Sequence, residues 1–454
     1  MKFVEPSLLL YLFQEGAKGF ELPSINFPYL GTRGLTGIVM LIHMFFAQLF
    51  IGFVIGSPIL QSLGARRGNV HMQRLSRSLD RFNVLTFSIG ATFAGMFLVL
   101  IVGFYPRVTS ALFTHFFWFF PMLAMGAMTI TLYLLYVYHY RTQRRSILAG
   151  LGAAFFILVW QAILTGVDTF MVTGGGAGER AIQSGGELNF SSLGSSLGSI
   201  LNPMFVPLDL HRTFGNLSWP AYAVAAWAAF MHARSKRTED RVFFDWAGSM
   251  GVLWGTAFLL LQPLGGFAIA YTMKAAYQPN APGVQGTGGP YDRLVGSGPD
   301  SFTTNLLYIN LAMVVGLFVL SNVALYLGAG RHPDGKGRVP IRFFGLVAAV
   351  AGLYSISPVA DWPFLYMRYL AILAMVLATL GALVAYVRAR RLFGYGNQGR
   401  GYRTVLLLLG VLATVVTLNM GWMKSNSRVP YTIYGQPQYQ VESEKPITQE
   451  QISP

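Results

Sequence analysis

Cysteine is absent from the 454 residues, and acidic residues are scarce: 18 Asp and Glu stand against 33 Lys and Arg. Without a thiol there is no disulfide, no thiolate metal site and no covalent c-type heme attachment within this chain. Charge of either sign is sparse, at 11% of residues, while 53% are hydrophobic and the mean hydropathy is +0.48. A soluble protein of that length carries far less apolar surface. The composition is that of a polytopic protein embedded in the lipid bilayer.

Apolar windows long enough to span fall near 34–57, 84–105, 113–138, 147–166, 204–231, 243–272, 303–328, 341–358, 364–387 and 404–423. They predict an all-α transmembrane bundle of about ten helices, with 341–358 the weakest. Basic residues concentrate in alternate loops: those around 62–83, 141–147, 232–242, 329–342 and 388–403 hold 21 of the 33. Lys and Arg are retained on the cytoplasmic side, so these loops face inward and both termini face outward. The net charge of +15 then has a topological cause, and no nucleic-acid partner is needed to explain it. Residues 1–33 lack both a cationic start and a small-residue cleavage site, and are expected to lie at the outer interface rather than to be a signal peptide. Residues 34–423 form the membrane domain. Its long outer loops, 173–200 and 277–301, are rich in Gly with Ser or Pro, and 424–454 is a polar outer tail.

Ionisable groups inside a bilayer are costly and mark function. His43, His115 and His211 fall within predicted spans, all toward the outer side; Arg368 lies just inside the span 364–387, and Arg428 follows the last span. Imidazole nitrogens ligate iron and arginines pair with propionates, so this layer suits one or more hemes held without covalent linkage. Met367 and Met375 flank Arg368, and a thioether is a further axial donor. The competing account of each histidine is a hydrogen bond between helices: Gln48 stands near His43, Asn216 near His211, and His115 sits in an aromatic belt with Phe113, Phe116, Phe117 and Trp118. His71, His139, His232 and His332 belong to basic loops, where solvent or lipid headgroups satisfy them.

Four stretches together resemble subunit I of the cytochrome bd oxidases. LNPMFVPLDLH (201–211) resembles that family's Leu-Asn-Pro followed, eight residues after the proline, by the histidine ligand of the low-spin heme b. GLTGIVMLIHMFFAQLFIGF (34–53) resembles the helix carrying the histidine of the high-spin heme, which places His43 there. WPFLYMRYLAILAMVLATL (362–380) resembles the helix with the Phe-Arg motif, and Arg368 takes the arginine. GWMKSNSRVPYTIYG (421–435) resembles the GW…GRQPW…YG segment, with Arg428, Pro430 and Tyr431 in register. The resemblance implies a metal set of His43 and His211, with Arg368, Arg428, His115 and Met367 also at the cofactor. It implies heme b in one or more copies, a d-like heme among them, and a quinone. A second membrane subunit and a c-type cytochrome or other redox partner would complete a respiratory complex in a bacterial inner membrane.

Several positions depart from that family. Leu370 stands where the family has the low-spin heme's methionine, and Ser425 stands at the offset of a heme-ligating glutamate. Val99 aligns with an acidic residue of the proton route, and QPLGG (262–266) replaces a GDESG-type stretch. The quinol-binding loop has no recognisable counterpart; spans 303–328 and 341–358 are added. These departures leave oxygen reduction open for an oxidoreductase subunit. They also keep two other readings in view, a heme-free membrane scaffold and an anion transporter or channel.

Overall fold

The computed structural model describes residues 31–104, 119–139, 144–170, 193–276, 301–333, 337–357 and 366–427, with Phe116, Leu294, Val359 and Ala360. Twelve α-helices account for nearly all of these residues, and there is no strand among them. In chain order they are α1 (Gly31–Arg67), α2 (Val70–Phe104), α3 (Phe119–Tyr138), α4 (Arg144–Phe170), α5 (Leu193–Ile200), α6 (Phe205–Arg234), α7 (Thr238–Leu259), α8 (Gln262–Ala276), α9 (Ser301–Gly328), α10 (Arg338–Ser355), α11 (Met367–Ala389) and α12 (Arg400–Ser427). Each of the ten predicted spans overlaps a described helix, and 243–272 is divided between α7 and α8 by a break at Leu260 and Leu261. Eight described stretches are long and apolar enough to cross a membrane, with α7 and α8 together making one of them. The other two predicted spans are α3, whose described apolar stretch is Ala124–Val137, and α6, whose hydropathy is diluted by Asp209, His211, Arg212 and Asn216.

The basic segments differ from their expected form. Residues 62–83, expected as a loop, are helical except at Gly68 and Asn69. Arginines are good helix formers, and a hydropathy window cannot distinguish a helix that leaves the bilayer from a loop. The turn is built for its job: Gly68 has φ +61°, Asn69 N–H donates to the Gly64 carbonyl at 2.9 Å, and the Asn69 side-chain oxygen accepts from Met72 N–H at 3.0 Å. A left-handed glycine closes one helix and an asparagine cap opens the next.

Contacts between helices gather the basic segments at one end of the bundle. Arg74 of α2 pairs with Asp240 of α7 at 2.5 Å, and Arg331, after α9, pairs with the fully buried Asp245 of α7 at 2.8 Å. Asp245 also accepts from Gly396 N–H at 2.9 Å, and the Arg331 guanidinium lies 4.4 Å from the centre of the Tyr402 ring. Two basic-loop histidines are corrected here. His232 is buried with Nε2 3.2 Å from the Gly396 carbonyl, and His71 stacks on Phe243 and Trp246. Both are packing groups rather than solvated ones, because the helices that carry them extend past the apolar windows.

A large apolar core fills the space among α6, α7, α9, α11 and α12, including Trp219, Tyr222, Phe318 and Leu406; a smaller one joins α1, α3 and α4 through Phe50, Val54, Tyr133, Tyr136 and Ile157. Close backbone contact links the two: a methyl on Gly52 of α1 would lie 2.3 Å from the Asn216 carbonyl oxygen of α6. Small residues at such crossings are the usual device of helices packed in lipid. Large apolar side chains cover the outer surface of the bundle, as a lipid-facing surface requires.

Candidate functional site

The polar residues at the end opposite the basic segments start from the LNP turn. The Asn202 side-chain oxygen accepts from Met204 N–H at 3.2 Å, its amide donates to Thr169 at 2.8 Å, and its backbone carbonyl accepts from Phe205 N–H at 3.0 Å. Asparagine supplies the turn and ties it to α4, and proline next to it suits a helix start. This turn sets the entry of α6 and therefore the position of His211 in its second turn.

His211 packs against α8. Gln262 donates to the His211 backbone carbonyl at 3.2 Å, and a methyl on Gly265 would lie 3.0 Å from both Cβ and Nδ1 of the histidine. The QPLGG segment thus fits closely over His211, and a side chain at 265 would press on the imidazole. Nδ1 of His211 is sealed from solvent and has no hydrogen-bond partner among the described residues. Such a group costs on the order of 1–3 kcal/mol unless something engages it.

His43, half-buried on α1, has Nδ1 2.9 Å from the Gly90 carbonyl oxygen of α2. A carbonyl only accepts, so Nδ1 carries the proton and the lone pair resides on Nε2. That arrangement, one ring N–H given to a backbone carbonyl and the other nitrogen left as a donor of electrons, is the one metal-ligating histidines use. α12 touches the neighbourhoods of both His43 and His211. A methyl on Gly421 would lie 2.9 Å from Leu41, and Lys424, one turn further on, reaches Asp168 of α4.

Asp168 is the group that sequence reasoning missed. Its carboxylate pairs with both Arg212 and Lys424, and Arg212 also donates to Thr165 at 3.1 Å. Gln161 extends the network, donating to Thr213 at 2.7 Å and to Asp209 at 3.2 Å, while its carbonyl accepts from Asn216 at 2.6 Å. Asn216 is therefore satisfied by Gln161 rather than by His211. Nothing in the sequence marked Asp168 beyond its being an acid in the last turn of an apolar helix, the kind of residue that seldom stands there without a partner.

Arg368 and Met367 open α11, both half-buried. Phe267 of α8, directly after the glycines that cover His211, meets Tyr369 with ring centres 5.7 Å apart. The Arg368 segment therefore packs on the helix that also packs on His211. Leu370 is 58% exposed and Val99 71% exposed, so these two positions face outward. His115 and Arg428 lie outside the described residues. Among the described residues no three His, Asp or Glu side chains gather to hold a bare metal ion.

No family model matches the chain, and no curated protein matches it. Among solved structures it is similar to the bd oxidase from Geobacillus thermodenitrificans, with 16% sequence identity over 88% of this chain and 98% of that one and a TM-score of 0.46.

Proposed function

We propose that the chain is a heme-binding, bd-like electron-transfer subunit of a respiratory oxidoreductase complex in a bacterial inner membrane. The basic end faces the cytoplasm and both termini face outward. One observation carries the reading: His43 is held by the Gly90 carbonyl in the tautomer that presents Nε2 as an iron ligand. His211, with an enclosed nitrogen that no described residue satisfies, is the second ligand. Bound b-type heme, with a d-like heme as a variant, would supply reversible one-electron transfer near the outer face. Arg368 and Arg428 would neutralise propionates, with His115 and Met367 beside them. A quinone or an external c-type cytochrome exchanges electrons with the site, and a second membrane subunit shares the complex.

Asp168 supports this reading against an anion-conducting one. Arg212 and Lys424 are both tied to one carboxylate, which fixes their side chains across α4, α6 and α12 and takes their donors away from a passing anion, although the trio keeps one net positive charge. The test is a reduced-minus-oxidised spectrum of the purified protein together with its pyridine hemochrome content. One to three hemes per chain are expected, with His211→Ala removing the low-spin signal and His43→Ala the high-spin one. A heme content near zero would leave a heme-free scaffold in place of the electron carrier.

A further inference from the structure

The face of α2 that looks into the bundle carries Ser76, Asp80, Asn83, Thr86 and Gly90, all buried and spaced three or four residues apart. That spacing draws one stripe along a helix. It starts near the basic end and finishes at the carbonyl that holds His43. Asp80 is 4% exposed. Among the described residues no basic side chain pairs with it. Its Oδ1 accepts from the Ser57 hydroxyl at 2.5 Å, and its Oδ2 is enclosed with no hydrogen-bond partner. Ser57 in turn lies 2.9 Å from the Ser76 hydroxyl and 3.2 Å from the Tyr136 hydroxyl, and Ser76 lies 3.3 Å from Tyr136. Tyr133 donates to the Asp80 backbone carbonyl at 2.9 Å. Among the described residues the titratable groups facing the carboxyl from α3 are Tyr133 and Tyr136, Ser57 of α1 hydrogen-bonds it, and α2 itself carries Arg77 and Arg81 on its exposed side.

Farther along the stripe, Asn83 in its satisfied amide orientation donates to the Phe50 carbonyl at 3.3 Å and accepts from Val54 N–H at 3.2 Å. Thr86 follows one turn on, and Gly90 one turn after that. The rise from Asp80 to Gly90 is about 15 Å at 1.5 Å per residue. Each turn of that distance carries a buried polar group, the Thr86 hydroxyl donating back to the Phe82 carbonyl at 2.9 Å, while the exposed side carries Arg81, Val84, Leu85 and Ser88.

We propose that Asp80 is the proton-loading group of this protein, filled from the basic end through the Ser57, Ser76 and Tyr136 hydroxyls and linked along α2 to the level of His43. The proposal rests on the heme reading above. Asp80 takes up one proton for each electron that the quinol or c-type cytochrome donor delivers at His43. An O–H bond forms at Oδ2 as one breaks on a hydronium ion at the basic end; the electron would reside on the bound heme, and a quinol donor would break its own O–H bond and release that proton where it is oxidised. A buried carboxyl joined to hydroxyls, with which no basic side chain pairs among the described residues, has the composition of a proton relay rather than of an ion pair. The family's acidic position has no part in this, since Val99 stands 71% exposed on the outward face of the same helix.

Redox-difference infrared spectroscopy of the purified, heme-loaded protein tests the proposal, read beside the pH dependence of the heme midpoint potential. Wild type should show a carboxylic C=O band that changes on reduction. Asp80→Asn, which keeps an oxygen for Ser57 but cannot carry the proton, should lose that band and most of the pH dependence while retaining the heme spectrum. Asp80→Glu should shift the band, and it serves alone if Asp80→Asn does not accumulate. Heme present with band and pH dependence unchanged in the variants would overturn the proposal and make Asp80 a purely structural link. Absence of heme from wild type would overturn the functional reading itself, a result distinct from the first.

Discussion

The two ends of the bundle use the same residue types for different ends. At the basic end Asp245 and Arg331 are almost wholly enclosed, at 0% and 6% side-chain exposure, and answer each other inside a wall of Tyr402, Phe393 and Tyr395. At the opposite end Asp168 is shared between Arg212 and Lys424, both partly open to the surroundings, beside an imidazole nitrogen that no described group satisfies. The first arrangement is closed and locks the helices. The second is more open, with Asp168, Arg212 and Lys424 at 18%, 28% and 28% side-chain exposure, and that openness is what sets it apart from the closed pair.

The largest effect should come from breaking the closed pair. Arg331→Ala would strand the Asp245 carboxylate in the interior and cost about 3–5 kcal/mol. Denaturant titration in detergent measures this, and replacing both partners with apolar residues should recover most of the loss. Asp168→Ala leaves two cations without their acceptor, but both are partly exposed, so a smaller loss of about 1–3 kcal/mol is expected. This loss should come with a displaced His211 heme spectrum, whereas Arg331→Ala should leave the spectrum of the surviving folded fraction unchanged. Equal spectral effects from both would erase the contrast between the ends. The smallest effect belongs to Leu370→Met. It restores the residue type that the bd oxidases place there, yet the side chain faces outward. Stability should move by no more than about 0.5 kcal/mol and the heme spectrum not at all. A new six-coordinate signal would show that α11 turns in the assembled complex.

Most of the fold was legible because apolar windows and charge asymmetry follow directly from the cost of placing backbone and charge in lipid. The helix ends were not. Residues 62–83 read as a loop because arginine lowers hydropathy wherever it stands, and α2 therefore seemed to begin fourteen residues late. That error hid the polar stripe, since Ser76, Asp80 and Asn83 were assigned to the loop rather than to a helix face. Matching by offset also pointed to Val99, because alignment preserves position along a chain but says nothing about which way a side chain faces. Asp168 was illegible for another reason: its partners are 44 and 256 residues away, and no local pattern encodes such a pairing. The LNP turn, by contrast, is a local device, and its sequence fixed both a helix start and a histidine's place.

The two-residue turn at Gly68 and Asn69 has a consequence for biogenesis. It folds α1 back along α2, so the His43 contact with Gly90 and the Asp80 contact with Ser57 both form between neighbours in one hairpin. Chains emerge from the ribosome N-terminus first. The proposed iron ligand and the proposed proton carrier would thus be in register while most of the polypeptide is still being translated, and the later helices would arrive around a nucleus that already exists.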